Sequence, residues 1–252
     1  MMTTKWSLPV MLIWVIPAVT VSCCRHPPSV WCSSPEIAKE CQVTKQCSSF
    51  YSGEVNANPV NFTVYLEYLC PDCKQFMAGE LYKAYTKLSS IMNLGLVPYG
   101  NARESKVGSK WKFKCQHGEK ECLGNIIETC SMYVLPNISV YFPFIHCMEA
   151  SYESPKESSK KCAKSLQIDL APILECAESI VGNQLEHQMA LKTAALKPAH
   201  TYVPWVTLNG VHTEDIQKQA ESDLVKLICD TYKGPKPSAC TESEKARKCW
   251  KL

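Results

Sequence analysis

Apolar and polar positions follow two patterns along the chain, and together they predict strands that alternate with helices. Residues 60–69 are rich in β-branched and aromatic side chains, which is typical of a strand. The apolar residues that follow recur at the spacing of one helical face: Met77, Leu81, Ala84, Leu88 and Ile91. Residues 94–99 predict a second strand, and a right-handed crossover would lay it parallel to the first. The first half of the chain is therefore a predicted βαβ unit.

The second half predicts one more strand and a final helix. Residues 205–208 form an apolar run that ends at Asn209-Gly210, a strong hairpin-turn signal, and a helix is predicted from Glu214 to Tyr232. Between the halves, residues from about 105 to 198 contain helical stretches at 125–132, 162–171 and 180–196. Six cysteines lie in this region: Cys115, Cys122, Cys130, Cys147, Cys162 and Cys176. We interpret it as a helical insertion pinned by disulfides.

Cys70-Pro71-Asp72-Cys73 stands at the junction between the first strand and the first helix. Two cysteines separated by two residues at such a junction indicate a thioredoxin-like redox site in an α/β fold. A thiol at a helix N-terminus meets unpaired backbone N–H groups and the positive end of the helix dipole, which favour the reactive thiolate. Cys73 lies one turn further on, where it can resolve a mixed disulfide. A structural disulfide or half of a zinc site is the alternative.

Composition narrows the class of protein. The net charge of +3 over 252 residues is too small to indicate a nucleic-acid partner. Sixteen cysteines indicate either an oxidising compartment or metal binding. The N-terminal segment favours the first, because Lys5 precedes an apolar run from Leu8 to Val21 that is shorter than a membrane span. It fits a secretory signal peptide at 1–22, with a retained signal anchor as the alternative.

The remaining segments fit a secreted or luminal protein without a membrane span. Sequons predict N-glycosylation of Asn61 and Asn137. Residues 23–57 form a cysteine-dense segment that resembles the saposin A-type module, and we expect a cysteine-rich propeptide rather than a lipid-binding unit. We predict a thioredoxin-like domain at 58–232. Residues 233–252 form a basic tail that we expect to be removable, with Cys240 and Cys249 available for a disulfide of its own.

Residues 115–130 carry a more specific pattern, CQHGxxECxxNxxxxC, with every fixed position present. The chain resembles the gamma-interferon-inducible lysosomal thiol reductase family, of which this pattern is the signature. Blocks at 97–102 and 202–207 are similar to other family blocks. The chain's Cys-Pro-Asp-Cys differs from the Cys-Gly-x-Cys of the best-known mammalian members and is closer to the Cys-Pro-x-Cys of oxidases.

The resemblance implies a thioredoxin-like thiol reductase of the endosomal–lysosomal route, partly secreted as well. Such an enzyme opens disulfides in proteins being degraded, which aids antigen processing, and a small thiol such as cysteine resets it. No metal or organic cofactor is implied. In thioredoxin-like folds the proline before the third strand is cis and faces the cysteine pair, so the resemblance assigns Val203 and Pro204 to substrate binding. The alternatives are a secretory-pathway disulfide oxidase or isomerase, and a non-enzymatic saposin-like binding protein.

The residue types of the signature also allow interpretations that do not depend on the family. Cys115, His117, Cys122 and Cys130 form a set that zinc would accept, although secreted cysteines usually pair with one another. His117 is either a base near Cys70 or a structural histidine that bonds a loop backbone.

Counting cysteines singles out Cys229. If both terminal segments are removed, nine cysteines remain, and setting aside the redox pair leaves the odd number of seven. Six of them lie in the insertion, whereas Cys229 lies in the last helix. We predict an interchain disulfide through Cys229 that gives a covalent homodimer, with a buried free thiol as the alternative.

Overall fold

The computed structural model describes residues 24–45, 47, 57–135 and 137–241. The predicted signal peptide and the end of the basic tail, with Cys23 and Cys249, lie outside the described residues. The chain divides into two compact units, Met1–Val55 and Asn56–Leu252, each described by itself below. None of the helices in the described part of the chain combines the length and apolar character that crossing a bilayer requires.

The N-terminal unit is a small disulfide-bonded segment. A 3₁₀ turn at Pro28–Val30 precedes helix α1, Pro35–Glu40, which Ser34 caps by accepting a hydrogen bond from the backbone N–H of Ile37. Two disulfides hold it, Cys24–Cys41 and Cys32–Cys47. Among the residues described in this unit, the buried apolar side chains are Ala38 and Cys47, so in this part the disulfides supply much of what a hydrophobic core would otherwise supply.

A three-stranded sheet forms the centre of the larger unit. Strand β1, Val60–Leu66, lies between β2, Met92–Pro98, and β5, Trp205–Leu208. It pairs parallel with β2 and antiparallel with β5, which confirms the predicted βαβ unit. The predicted turn after β5 is present, with Asn209 and Gly210 both at positive φ. Every second residue of β1 is buried, which is the pattern of a strand with one face on the core.

Two helices pack on this sheet along predicted faces. Helix α2 runs from Pro71–Phe76 through a π-helical stretch at Met77–Leu81 into Tyr82–Leu88. The C-terminal helix α8, Glu214–Thr231, buries Ala220, Leu224 and Ile228. Together with the sheet they form a thioredoxin-like fold, as predicted.

The insertion is largely helical, also as predicted. It opens with a β-hairpin, β3 Arg103–Val107 and β4 Lys110–Lys114, which the sequence did not indicate. Five helices follow: α3 Glu119–Val134, α4 Ile138–Glu149, α5 Pro155–Leu166, α6 Ala171–Glu178 and α7 Ile180–Ala194. Disulfides join α3 to α6 through Cys130–Cys176, and α4 to α5 through Cys147–Cys162. The helix predicted at 162–171 has the wrong bounds, because α5 ends at Leu166 and Gln167 takes a positive φ. The helices α4 and α6 were not predicted.

The disulfides exclude the zinc alternative and show that the prediction for Cys229 is wrong. Cys115 pairs with Cys122, and Cys130 with Cys176, so three of the four supposed zinc ligands are disulfide-bonded and offer no thiolate. Cys229 pairs with Cys240, because the chain beyond α8 turns back and brings the two Cα atoms within 5.5 Å. This intrachain disulfide excludes both the interchain bond and the free thiol predicted for Cys229, and it excludes a Cys240–Cys249 pair.

Candidate active site

Cys70 and Cys73 are the two cysteines in the described part of the chain that form no disulfide. Cys70 occupies the N-cap of α2, and Pro71 takes the first helical turn, where its missing N–H costs nothing. The backbone N–H of Cys73 donates to Sγ of Cys70 at 3.2 Å. The N-cap position therefore points helix N–H groups at the Cys70 sulfur, as the sequence predicted.

The two thiols differ in pKa and in burial because their environments differ. The pKa of Cys70 is lowered, chiefly because the Cys73 side chain donates a hydrogen bond to its sulfur, although burial acts in the opposite direction. The pKa of Cys73 is raised, first by burial and then by the same hydrogen bond. Cys73 is fully buried, whereas Cys70 keeps a small exposed fraction of 6%. Cys70 is thus the better nucleophile and Cys73 the protected partner.

The segment before β5 faces the redox pair. The Val203–Pro204 peptide bond is cis, and Sγ of Cys70 lies 3.7 Å from the carbonyl oxygen of Val203. Gln217 of α8 holds this segment: its Nε2 donates to the carbonyl of Pro204, and its Oε1 accepts from the N–H of Val206. Gln217 was not predicted as a functional residue, since a glutamine on an amphipathic helix is ordinarily exposed.

The signature residues gather around the turn that leads from β1 to Cys70. Asn125 accepts the backbone N–H of Tyr68 at 2.8 Å. A Cβ at Gly124 would lie 2.2 Å from the Tyr68 ring, so only glycine allows α3 to approach so closely. Glu67 accepts the N–H of Asn101 at 2.8 Å. These contacts fix the residues immediately before the nucleophile, a role that was not predicted from the sequence.

His117 belongs to this cluster and is not a free base. Its ring Nδ1 bonds Oε2 of Glu121 and lies 3.5 Å from Oε1 of Glu67. Burial would lower the pKa of His117, but the hydrogen bond and charge of Glu121, with the charge of Glu67, raise it. The ligand atoms of these three residues lie within 4.8 Å of one another, close enough to share a metal ion. Their mutual hydrogen bond and charge pairing account for the arrangement without an ion.

A second charged cluster lies on the core side of the redox pair. Glu128 and Glu149 are fully buried neighbours, and none of their four carboxyl oxygens meets a hydrogen-bond donor among the described residues. Two such carboxyl groups can share a hydrogen bond only when one of them carries a proton. Burial raises the pKa of both carboxyls. Lys74 Nζ lies 3.9 Å from Oε2 of Glu149 and 4.4 Å from the centre of the Tyr68 ring.

Comparison with known proteins identifies the family. The family model for gamma interferon inducible lysosomal thiol reductase (GILT) matches residues 61–166 of the chain. The gamma-interferon-inducible lysosomal thiol reductase of Carassius auratus is 44% identical over 229 residues, which cover 90% of this chain and 88% of that protein. The chain belongs to the GILT family.

Other GILT relatives extend the comparison. The gamma-interferon-inducible lysosomal thiol reductase of Mus musculus is 37% identical over 201 residues and covers 77% of each chain. Among solved structures, the DsbA of Chlamydia trachomatis matches with a TM-score of 0.49 and 15% identity, over 68% of this chain and 88% of that one. As a GILT protein the chain is a thiol reductase, and its substrates contain disulfides.

The predicted glycosylation sites both fall on exposed asparagines. Asn61 lies in β1, where its Oδ1 accepts from Asn93 Nδ2 at 2.8 Å. Asn137 caps α4 and accepts from the N–H of Ser139. Both side chains are exposed, and glycosylation stays a prediction at both.

Proposed function

We propose that the chain reduces disulfide bonds of protein substrates through Cys70 and Cys73, in lysosomes and endosomes. The observation that carries the proposal is the contrast between the two thiols: Cys70, at the helix N-cap, has a lowered pKa, and the buried Cys73 donates to it. The lysosomal location is proposed because both relatives are named lysosomal thiol reductases. The unpaired state of both cysteines favours a redox pair over a permanent staple.

In the first step the Cys70 thiolate attacks one sulfur of the substrate disulfide. A bond forms between Sγ of Cys70 and that sulfur, the substrate S–S bond breaks, and the second substrate sulfur leaves as a thiolate that takes a proton from water. The carbonyl of Val203, 3.7 Å from Sγ, supports a backbone position for an extended substrate alongside Val203 and Pro204.

In the second step Cys73 loses its proton and attacks Sγ of Cys70. The bond between Cys70 and the substrate breaks, and the substrate leaves with a second thiol. The substrate has then gained two electrons and two protons, and the enzyme holds a Cys70–Cys73 disulfide. Two molecules of a small thiol such as cysteine reset the pair and are themselves oxidised to a disulfide.

The proposed route to this compartment is secretory. It is supported by the signal-like residues 1–22 and by two sequons on exposed asparagines, Asn61 and Asn137. Protein that escapes lysosomal sorting would be secreted. Reduction of disulfides in proteins taken up for degradation would open them to proteases and so aid antigen processing.

Substitution of each cysteine tests the mechanism. Cys70→Ser should abolish reduction of a protein disulfide, because no nucleophile remains. Cys73→Ser should instead accumulate a mixed disulfide through Cys70, visible as a mass increase that dithiothreitol removes. The double variant should neither reduce nor trap substrate. Normal turnover by Cys73→Ser would rule out the two-thiol mechanism.

Pro71 favours a second candidate function. Cys-Pro-x-Cys is the motif of disulfide oxidases, and a secretory-pathway oxidase or isomerase would use the same residues in the opposite direction. The reduction potential of the Cys70–Cys73 pair distinguishes the two, because a strongly oxidising potential favours oxidation of substrates.

A further inference from the structure

A cleft of about 730 Å3 runs beside the redox pair, and its lining carries three carboxylates. Asp72 comes from the motif itself, Glu80 from the π-helical stretch of α2 and Glu221 from α8. Among the described residues, none that lines the cleft is a lysine or an arginine. The cleft is therefore locally acidic in a chain whose net charge is +3.

The cleft is continuous with the position that a bound substrate must occupy. Its apolar lining includes Phe76, Tyr202, Val203 and Pro204. Val203 contributes the carbonyl oxygen that lies 3.7 Å from Sγ of Cys70. A polypeptide joined to Cys70 in a mixed disulfide would extend alongside Val203, and so its residues next to the disulfide would lie in the cleft.

Two of the three carboxylates are free to meet a charged ligand. Glu80 is occupied by the protein itself, since one oxygen bonds Lys83 Nζ at 2.9 Å and the other accepts from the N–H of Leu224. Glu221 is exposed and uses one oxygen to accept from Gln217 Nε2 at 2.7 Å. Asp72 is exposed, with no ion pair among the residues that the structure describes. Negative charge thus faces solvent from both sides of the cleft.

Building on the proposed function, we infer that this reductase prefers disulfides whose neighbouring residues are lysine or arginine, with Asp72 and Glu221 as the residues that set the preference. Attraction between an acidic cleft and basic substrate residues raises the association rate, whereas substrates with acidic residues at the same place are repelled. Phe76 and Tyr202 would pack against the aliphatic stems of the basic side chains, which cover apolar surface while their charged ends stay solvated.

A matched pair of substrates tests the preference. Two peptides share one disulfide, which is flanked by lysines in one and by glutamates in the other, and kcat/KM is measured for each. At low salt the lysine peptide should be reduced roughly fivefold to tenfold more efficiently, the effect of about two exposed ion pairs. Salt at ~0.5 M should compress the ratio, because it screens exposed charges.

Variants of Glu221 give the deciding control. Glu221→Gln keeps an acceptor for Gln217 but removes the charge, so it should lower the ratio. Glu221→Lys should shift the preference toward the glutamate peptide. Glu178→Lys, at an exposed residue at the end of α6 and outside the cleft, should leave the ratio unchanged. Equal kcat/KM for both peptides, or a ratio that Glu221→Lys does not move, would overturn the inference. Failure to reduce either peptide would contradict the proposed function, and this inference with it.

Discussion

At the scale of single residues, two identical thiols acquire different chemistry from their hydrogen bonds and burial. Cys70 receives donors from the backbone N–H of Cys73 and from the Cys73 side chain, and both stabilise its thiolate. Cys73 is enclosed by the core and keeps its proton as the donor of that bond, so its own ionisation is disfavoured. The sequence predicted the pair and the order of attack from helix position alone. It could not predict the side-chain hydrogen bond, because this depends on the orientation of both sulfurs.

The rate of Cys70 alkylation against pH should have its midpoint well below the pKa of free cysteine. An ordinary thiol, with a pKa of about 8.5, is only ~0.03% thiolate at about pH 5, too little for efficient work in an acidic compartment. Cys73→Ala should raise the midpoint, because it removes the largest stabilising contact of the thiolate. Cys73→Ser keeps a hydroxyl donor and should raise it less. A wild-type midpoint near that of free cysteine would argue against Cys70 as an acid-compartment nucleophile.

At the scale of elements, the N-terminal half of α3 holds the approach to the nucleophile. Gly124 lies against the Tyr68 ring and Asn125 accepts the Tyr68 N–H, so α3 fixes the backbone two residues before Cys70. The Cys115–Cys122 disulfide ties the turn before α3 to its first turn. The segment that carries the signature is therefore best understood as an anchor for the active-site turn.

Gly124→Ala should destabilise the protein by roughly 1–3 kcal/mol, because the new methyl group overlaps the buried Tyr68 ring. Reductase activity should also fall, since the displaced ring moves the turn that carries Cys70. Gly79→Ala is the matched control for stability: a Cβ there meets nothing within 4 Å, so the free energy of unfolding should stay equal or rise slightly. Denaturant unfolding of both variants gives the comparison. Equal stability for Gly124→Ala and wild type would refute the anchor role.

The elements that sequence reasoning missed are those whose local pattern conflicts with their structure. Helix α4 is rich in β-branched and aromatic residues and contains Pro143, features that disfavour a helix in isolation. It forms because Phe142, Phe144, Ile145 and Met148 are all buried, so packing overrides propensity. The hairpin β3–β4 is rich in lysine, and its turn depends on Gly108 at positive φ. The Cys229–Cys240 bond depends on how the chain folds back after α8, which spacing does not reveal.

At the scale of the whole molecule, the larger unit buries an unusual number of carboxyl groups. Glu128, Glu149 and Glu186 are fully enclosed, and burial raises the pKa of each. Burial likewise raises the pKa of Glu67. Burial of these glutamates was not predicted, because glutamates on helices are ordinarily exposed. The common effect is a folded state that retains protons on these groups at pH values where the unfolded chain has lost them.

The stability of the fold should accordingly be greatest in acid and should decline toward neutral and alkaline pH. A carboxyl whose pKa is raised on folding binds more protons in the folded state than in the unfolded one between the ordinary value of 4.5 and the raised value. Across that window, a rise of one pH unit lowers the free energy of unfolding by up to ~1.4 kcal/mol for each such proton. Burial lowers the pKa of His146 and His200, so these two groups make the fold more stable as pH rises. Their effect ends at about their ordinary pKa of 6.5. His117, with its raised pKa, acts in the same direction as the carboxyls.

The decline should therefore be steepest above about pH 6.5, where the two half-buried histidines no longer compensate. Thermal unfolding measured from about pH 5 to about pH 8 tests this, with the disulfides intact. Glu149→Gln replaces a titrating carboxyl by an amide that can still bond Glu128, so its slope should be flatter than that of the wild type. Glu178→Gln, on an exposed glutamate, should leave the slope unchanged. A melting temperature that rises from acid to alkaline pH, or an unaltered slope in Glu149→Gln, would show that the buried carboxyls are not linked to folding in this way.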